Sequence, residues 1–369
     1  MSARKKWLKG NRPKKKGCLS MSSQINADRL IRDIEEGVII IDSAGTITNI
    51  NPKAREILEI QGNYTDKKYI ALIDGDKNRN DAFHQMLVDA VTDKKTVHKK
   101  RIGYVTDSSK KTLYIASSVI RDDEAGKSGI LLSFDDVTTE EKLKKKVSTS
   151  ALMFIILVAM LSIWMFACAI YINDETPINT SLFGRFIMYL PLLFTPVATK
   201  VCGFTTDDLG LRTKGVKKHI ATDALLTVAA AAAMFAVKLL ILKLMPSFPF
   251  YTPKGVFLDF SNYSVLERAE YGICVIAQEY LSRGLVHECV KRIITTENNE
   301  KYADIIAIFV SSLYFAALHI YLGVAYMIGA FILLSLFGFI YKKQRSIWGL
   351  CIPHFVLGTL IEVLGFTAT

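Results

Sequence analysis

ALMFIILVAMLSIWMFACAIYI, residues 151–172, is a run of 22 residues without a charged side chain. Because an α-helix rises about 1.5 Å per residue, a helix of this length crosses the roughly 30 Å hydrocarbon core of a bilayer. Charged residues are frequent before this run, whereas long apolar runs follow it. The chain therefore divides near Ser150 into a soluble part and an all-α membrane part.

The soluble part has the pattern of a mixed α and β domain. Residues 38–42 and 46–50 are strand-like, and the Ser-Ala-Gly turn between them predicts a hairpin. A helix then begins at Pro52, with Asn51 as its cap. A helical segment, residues 81–91, precedes three further strand-like runs, residues 97–106, 112–120 and 129–134. The order predicts a five-stranded antiparallel sheet with flanking helices.

Two segments carry a family resemblance: EEGVIIIDSAGTITNINPKAREIL, residues 35–58, and GILLSFDDVTTEEKLKKK, residues 129–146. Together they resemble a PAS domain, over residues 26–139. The resemblance implies a regulatory sensor, which binds a ligand not identified by the sequence, and a possible homodimer through this domain. His84 could be proposed as a haem ligand, but a single helical histidine is far more often a surface or core residue.

The net charge of +11 is concentrated near the N-terminus and beside the first apolar run. Such clusters favour an anionic lipid surface, and the tail lacks the interleaved aromatic residues expected of a nucleic-acid-binding segment. We therefore predict no nucleic-acid partner. The predicted organisation is a basic disordered tail (residues 1–24), a PAS sensor domain (25–139), a helical linker (140–150) and a membrane domain (151–369).

Further apolar runs follow the first, and cationic residues cluster in alternate loops between them. By the positive-inside rule, this places the N-terminus and the PAS domain in the cytoplasm, with the chain crossing the cell membrane several times. About seven membrane helices are predicted: residues 151–172, 186–202, 220–244, 271–286, 303–319, 322–341 and 347–366.

Four ionisable side chains lie inside these apolar runs: Glu279, Arg283, His319 and His354. Such groups cost about 2.5–3.5 kcal/mol each on insertion scales, so they usually serve a polar task inside the bundle. Glu279 and Arg283 are four residues apart and can pair on one helical face. Phe315, one turn before His319, could pack on its imidazole. A structural ion pair and structural histidines are the alternatives to an active site.

The order of these residues resembles the CPBP intramembrane proteases, which include the CAAX prenyl endopeptidases. The family pattern is Glu-Glu-x-x-x-Arg, then Phe-x-x-x-His, then His-x-x-x-Asn. This chain has Gln278-Glu279-x-x-x-Arg283, then Phe315-x-x-x-His319, then His354-x-x-x-Gly358, and the resemblance extends over residues 204–365. It implies hydrolysis of membrane-associated peptides or proteins, with zinc or another divalent metal as a possible cofactor.

Two positions depart from the family pattern. Gln278 stands where the first glutamate is expected and cannot accept a proton at neutral pH, and Gly358 replaces the asparagine that would stabilise the oxyanion. Glu279 could replace the missing base and complete a water-activating or metal-binding set with His319 and His354, while Arg283 orients its carboxylate. Glu362 is a second candidate for the missing carboxylate.

Two functions of different classes follow. The first is a PAS-regulated intramembrane endopeptidase. The second is a catalytically degenerate membrane scaffold or partner-binding regulator under PAS control. A transporter is a weaker alternative, because no internal repeat is evident in the sequence.

Overall fold

A computed structural model describes residues 27–75, 79–93, 97–122, 127–174, 186, 189–261, 264–296 and 299–366. The chain forms two compact units that meet between Lys142 and Leu143, and each unit is described by itself. The predicted basic tail, residues 1–24, lies outside the described residues. The predicted linker, residues 140–150, lies within a helix that begins at Thr138.

The N-terminal unit contains a five-stranded antiparallel sheet in the order β2-β1-β5-β4-β3. The prediction of a five-stranded antiparallel sheet is therefore confirmed. Its elements are α1 (Ala27–Asp33), β1 (Gly37–Asp42), β2 (Ile47–Ile50), α2 (Pro52–Leu58), α3 (Ile70–Gly75), α4 (Asp81–Asp93), β3 (Val97–Val105), β4 (Lys110–Asp122) and β5 (Lys127–Asp136).

Asn51 joins three of these elements. Its Oδ1 accepts hydrogen bonds from the backbone N–H groups of Ala54 and Val38, at 2.8 and 2.9 Å. Its Nδ2 donates to the Ile31 carbonyl of α1 at 3.1 Å and to the Glu36 carbonyl, directly before β1, at 2.8 Å. The predicted cap at the start of α2 is therefore confirmed. His84 is buried and packs edge-on against Phe83, with ring centroids 6.3 Å apart, which is the arrangement of a core histidine.

The C-terminal unit is helical, and its first helix, α5, begins in the N-terminal unit. The last elements, from α8 onward, carry all the predicted site residues. The elements are α5 (Thr138–Asp174), α6 (Thr195–Lys200), α7 (Val216–Leu244), α8 (Val265–Glu279), a π-helix (Tyr280–His287), α9 (Glu288–Ile294), α10 (Glu300–Ala317), a short 3₁₀ turn (Ile320–Leu322), α11 (Val324–Gln344) and α12 (Cys351–Val363).

Three segments in the described part of the chain are long and apolar enough to cross a membrane: Thr138–Ile170, Val216–Leu244 and Tyr326–Gln344. The predicted count of about seven spans is not confirmed. The remaining helices are shorter or carry polar side chains toward the bundle interior; α12, for example, has only 13 residues. In the predicted span 186–202, residues 189–193 are helical, and α6, Thr195–Lys200, follows after a break at Phe194; residues 187–188 lie outside the described residues.

Lys238 is a buried charge in the apolar helix α7 that the sequence analysis did not single out. Its side-chain ammonium donates to the carbonyls of Leu364 and Phe257, at 2.7 and 2.6 Å. Leu364 caps α12, whose last carbonyls lack intrahelical partners. Lys238 therefore fixes the end of α12 against α7, and a structural role accounts for its burial.

Candidate functional site

The predicted site residues occupy the junctions between the late helices. Gln278 and Glu279 end α8, and Arg283 lies in the π-helix that continues it. His319 follows the end of α10, and His354 lies in the first turn of α12. Glu279 and Arg283 have no exposed surface. π-Helices are rare and frequently occur at functional sites, and here the widened turn contains the buried arginine.

Glu279 and His354 form a direct contact between α8 and α12. Glu279 Oε1 lies 2.7 Å from His354 Nδ1. An ionised carboxylate only accepts hydrogen bonds, so Nδ1 is the donor in this contact, and the neutral tautomer that fits it has its lone pair on Nε2. The carboxylate therefore fixes both the orientation and the tautomer of His354, as the acidic member of a catalytic triad does.

Arg283 connects the other side of Glu279 to α10 and α11. Its Nε lies 3.7 Å from Glu279 Oε2, so the predicted pairing at four residues' spacing is observed. Nη1 donates to Ser311 Oγ at 3.2 Å, and Nη2 donates to the Leu334 carbonyl. Gly338 allows close packing beside the guanidinium, because a Cβ there would overlap Ile308 at 2.5 Å and stand 3.2 Å from Nη1. Arg283 is therefore fixed by α10 and α11, and its guanidinium in turn restricts the position of the Glu279 carboxylate.

His319 packs on the same aromatic ring as His354. Its Nδ1 is 3.1 Å from the Phe315 carbonyl, which only accepts, so Nε2 again keeps its lone pair. The predicted packing of Phe315 on His319 is observed, with ring centroids 4.8 Å apart, and the same phenyl ring meets His354 edge-on at 5.6 Å. Tyr326 stacks on the other side of His319. The structure thus brings both histidines to Phe315.

The interior of the site contains polar atoms without protein partners. Gln278 Oε1, Glu279 Oε2 and Arg283 Nε are buried and make no hydrogen bond to a described residue. Buried polar atoms are nearly always satisfied, so atoms of this kind are where water or a ligand is expected to bind. The orphaned acceptors lie on the residues that the sequence analysis selected.

A metal held jointly by Glu279, His319 and His354 is not supported by this arrangement. Each histidine directs its N–H to an acceptor, which is the usual orientation of a metal-binding imidazole. However, Glu279 Oε1 is already engaged by His354, and among the described residues no three His, Cys, Asp or Glu side chains lie close enough to share one ion. The metal assignment stays a prediction.

Gly358, which departs from the family pattern, is closely covered by an aromatic side chain. A Cβ at this position would overlap the hydroxyl of Tyr271 and stand 3.0 Å from its Cζ. From the sequence, Gly358 is only a lost hydrogen-bond donor, whereas in the structure a phenol hydroxyl occupies the space beside it. Asparagine at position 358 would therefore collide with Tyr271 unless that side chain were also shortened.

The structure gives one predicted residue a different partner and adds two residues near the site that were not predicted. Glu362, proposed as a replacement carboxylate, is paired with Arg268 at 2.6 Å. Trp164, in the apolar run 151–172, donates its indole N–H to the Leu318 carbonyl at 3.0 Å. Leu318 is the residue directly before His319. No local pattern could indicate this contact, since 154 positions separate the two residues. Tyr271 was detectable in principle, because it precedes Glu279 by eight residues and shares its helical face.

Comparison with known proteins agrees with both resemblances. Residues 271–360 match the family model described as Type II CAAX prenyl endopeptidase Rce1-like, and residues 26–137 match the model of the PAS fold. Residues 26–137 are thus similar to PAS domains, and residues 271–360 of the helical unit are similar to the Rce1-like CAAX proteases. Both resemblances found in the sequence are confirmed over these residues. A search of curated proteins gives no match.

Solved PAS domains are similar to the N-terminal unit. The PAS domain from Bordetella pertussis BvgS has 15% sequence identity and a TM-score of 0.26, and the match covers 30% of this chain and 84% of that chain. A PAS domain of an HTR-like protein from Haloarcula marismortui has 13% identity and a TM-score of 0.23, with coverage of 30% and 88%.

Proposed function

We propose that this protein is an intramembrane endopeptidase that hydrolyses peptide bonds of membrane-associated substrates under the control of its PAS domain. The observation that carries the proposal is the 2.7 Å contact between Glu279 Oε1 and His354 Nδ1, inside a unit that matches the Rce1-like family. A carboxylate that fixes an imidazole tautomer supplies a general base without requiring an acid at position 278.

In the proposed reaction, His354 Nε2 takes a proton from a water molecule as its oxygen attacks the substrate carbonyl. The new C–O bond forms while the carbonyl π electrons move to the oxygen. His354 then returns the proton to the amide nitrogen as the C–N bond breaks. Glu279 stabilises the imidazolium between these steps, and the buried guanidinium of Arg283 balances the carboxylate charge in the apolar interior.

The proposed base therefore differs from the one that the sequence favoured. Glu279 is the group that orients and stabilises His354, and His354 is the group that moves the proton. In the proposed reaction His319, which packs on the same Phe315 ring as His354, hydrogen-bonds the attacking water through Nε2. Gln278 remains a polar neighbour that can bind substrate or water through its unpartnered Oε1.

The test is cleavage of membrane-associated peptides by the full chain in liposomes, with fragments identified by mass spectrometry. We expect wild-type protein to cleave, and His319→Ala to lower the rate about 10²–10⁴-fold, the usual contribution of a positioned proton-transfer or water-binding group. Folding is monitored by size-exclusion chromatography and circular dichroism. A folded His319→Ala variant with the wild-type rate would contradict the assigned role of this histidine.

A non-catalytic scaffold is the second candidate, and the glutamine at position 278 favours it. In that case the wild-type chain does not cleave, and both His319→Ala and Glu279→Ala variants still support the cellular output. Introducing Gln278→Glu alone then tests whether a missing carboxylate explains the inactivity. The more drastic Gly358→Asn change is unsuitable for this purpose, because it collides with Tyr271.

The proposal places the PAS domain and N-terminus in the cytoplasm, with a multi-pass bundle of about seven helices in the cell membrane and possible pairing through the PAS domain. Control by the PAS domain is proposed to act through α5. This helix starts directly after the last PAS strand, and Trp164 within it is hydrogen-bonded to Leu318, the residue before His319. Tyr314 also donates to the Leu157 carbonyl of α5, at 2.8 Å. A shift of α5 would therefore move the His319 turn.

Trp164→Phe tests this connection. The change removes the indole N–H and leaves the Leu318 carbonyl without its donor, so we expect faster amide hydrogen exchange in residues 318–323 and cleavage slowed about tenfold, equivalent to one hydrogen bond. Trp348→Phe is the matched control, because Trp348 donates instead to the Leu211 carbonyl. Equal exchange in residues 318–323 of the two variants would contradict the connection.

A further inference from the structure

The hydroxyl of Tyr271 makes no hydrogen bond to the residues that the structure describes. Tyr271 lies in α8, two turns before Glu279, and is half-buried. Its ring stacks on Phe355 of α12, with centroids 5.6 Å apart and an interplanar angle of 29°. A buried tyrosine hydroxyl usually has a hydrogen-bond partner within the protein. Packing on Phe355 needs only the aromatic ring, so the hydroxyl of Tyr271 is available to a ligand.

The position of this hydroxyl is fixed by Gly358. A Cβ on residue 358 would overlap Oη and stand 3.0 Å from Cζ, so glycine is what lets the phenol approach the helix backbone. Gly358 follows His354 by one helical turn, and residues at this spacing lie about 5–6 Å apart on one face. The same two helices therefore present, one turn apart, a histidine held by a carboxylate and a free phenol hydroxyl.

The chemistry of the proposed reaction needs a donor at this distance. When water attacks a carbonyl carbon, negative charge develops on the carbonyl oxygen. This oxygen lies close to the base but not on it, so a second group must stabilise its charge. A positioned neutral donor in an apolar site stabilises this charge strongly, because it requires little reorganisation. Arg283 cannot serve, since its guanidinium is directed to Glu279, Ser311 and the Leu334 carbonyl.

We propose that the Tyr271 hydroxyl donates a hydrogen bond to the carbonyl oxygen of the scissile peptide bond and stabilises the oxyanion formed on attack. The inference rests on the proposed function and specifies the substrate group that the α8–α12 face binds. The hydroxyl contacts the substrate directly, and Gly358 is the residue that allows it to do so.

Tyr271→Phe removes only this hydroxyl. In cleavage by the full chain in liposomes, we expect kcat to fall about 10²–10³-fold with KM nearly unchanged, the signature of a contact made chiefly in the transition state. Tyr341→Phe is the matched control: it removes a buried hydroxyl that donates to the Asp208 carbonyl at 3.4 Å and should lower thermal stability without this loss in kcat.

A binding measurement judges Tyr271 separately from the proposed function. The probes are a short apolar peptide and its phosphonamidate analogue, whose tetrahedral anionic group mimics the intermediate, both titrated against wild-type and variant protein in liposomes. We expect wild type to prefer the analogue and Tyr271→Phe to lose about 10²–10³-fold of that preference. An equal preference in both proteins, or none in wild type, overturns the role of Tyr271. A wild-type chain that prefers the analogue but cleaves nothing overturns only the proposed peptidase activity.

Discussion

Glu279→Gln is expected to lower the rate of peptide cleavage by about four orders of magnitude, as loss of the acidic member of a triad does when the geometry is otherwise kept. Glutamine preserves the size of the side chain, but it cannot stabilise an imidazolium, and its amide can hold His354 in the opposite tautomer. Nε2 would then carry the proton and could not act as a base. The rate is measured in liposomes from the appearance of peptide fragments.

Glu288→Gln is the control for Glu279→Gln. Glu288 is another buried acid of the same unit, paired with Arg345 at 2.9 Å, so it undergoes the same chemical change without contact to either histidine. We expect this variant to cleave at the wild-type rate. If Glu279→Gln also keeps the wild-type rate while folded, the Glu279–His354 pair is a structural contact and the proposed mechanism is wrong.

Arg283→Leu is expected to lower the free energy of unfolding by about 3–5 kcal/mol, the cost of removing one partner from a buried ion pair. The fully buried carboxylate of Glu279 would lose the guanidinium beside it, and the Ser311 hydroxyl and the Leu334 carbonyl would lose a donor. Unfolding is followed by circular dichroism during denaturation in detergent micelles.

Two further variants identify the cause of that loss. Arg268→Leu breaks a pair with Glu362 that is partly exposed, with side chains 17% and 35% exposed, so we expect a loss of about 1 kcal/mol or less. Combining Arg283→Leu with Glu279→Leu removes both charges and should recover much of the stability, because an apolar pair needs no compensation. A double variant as unstable as the sum of the single variants would contradict an ionic origin.

Much of the PAS unit could be predicted because its determinants are local. The turn between β1 and β2 and the cap at Asn51 each depend on residues within a few positions, and the alternating runs mark the strands. The count of membrane spans could not be predicted in the same way. A run such as 186–202 is apolar enough to suggest a span, yet its described part forms two short helical pieces, residues 189–193 and Thr195–Lys200, with Pro196 at the start of the second.

The sequence by itself identified a PAS domain, a membrane part and four unusual ionisable residues, because spacing along a helix and the cost of charge in an apolar run can both be read locally. Only the tertiary structure decided which groups act together. In the structure, Glu279 contacts His354, 75 positions away, and Glu362 pairs with Arg268. The absence of a side chain at Gly358 leaves space for the Tyr271 hydroxyl. Contacts between distant helices depend on packing of the whole bundle, which no single segment specifies.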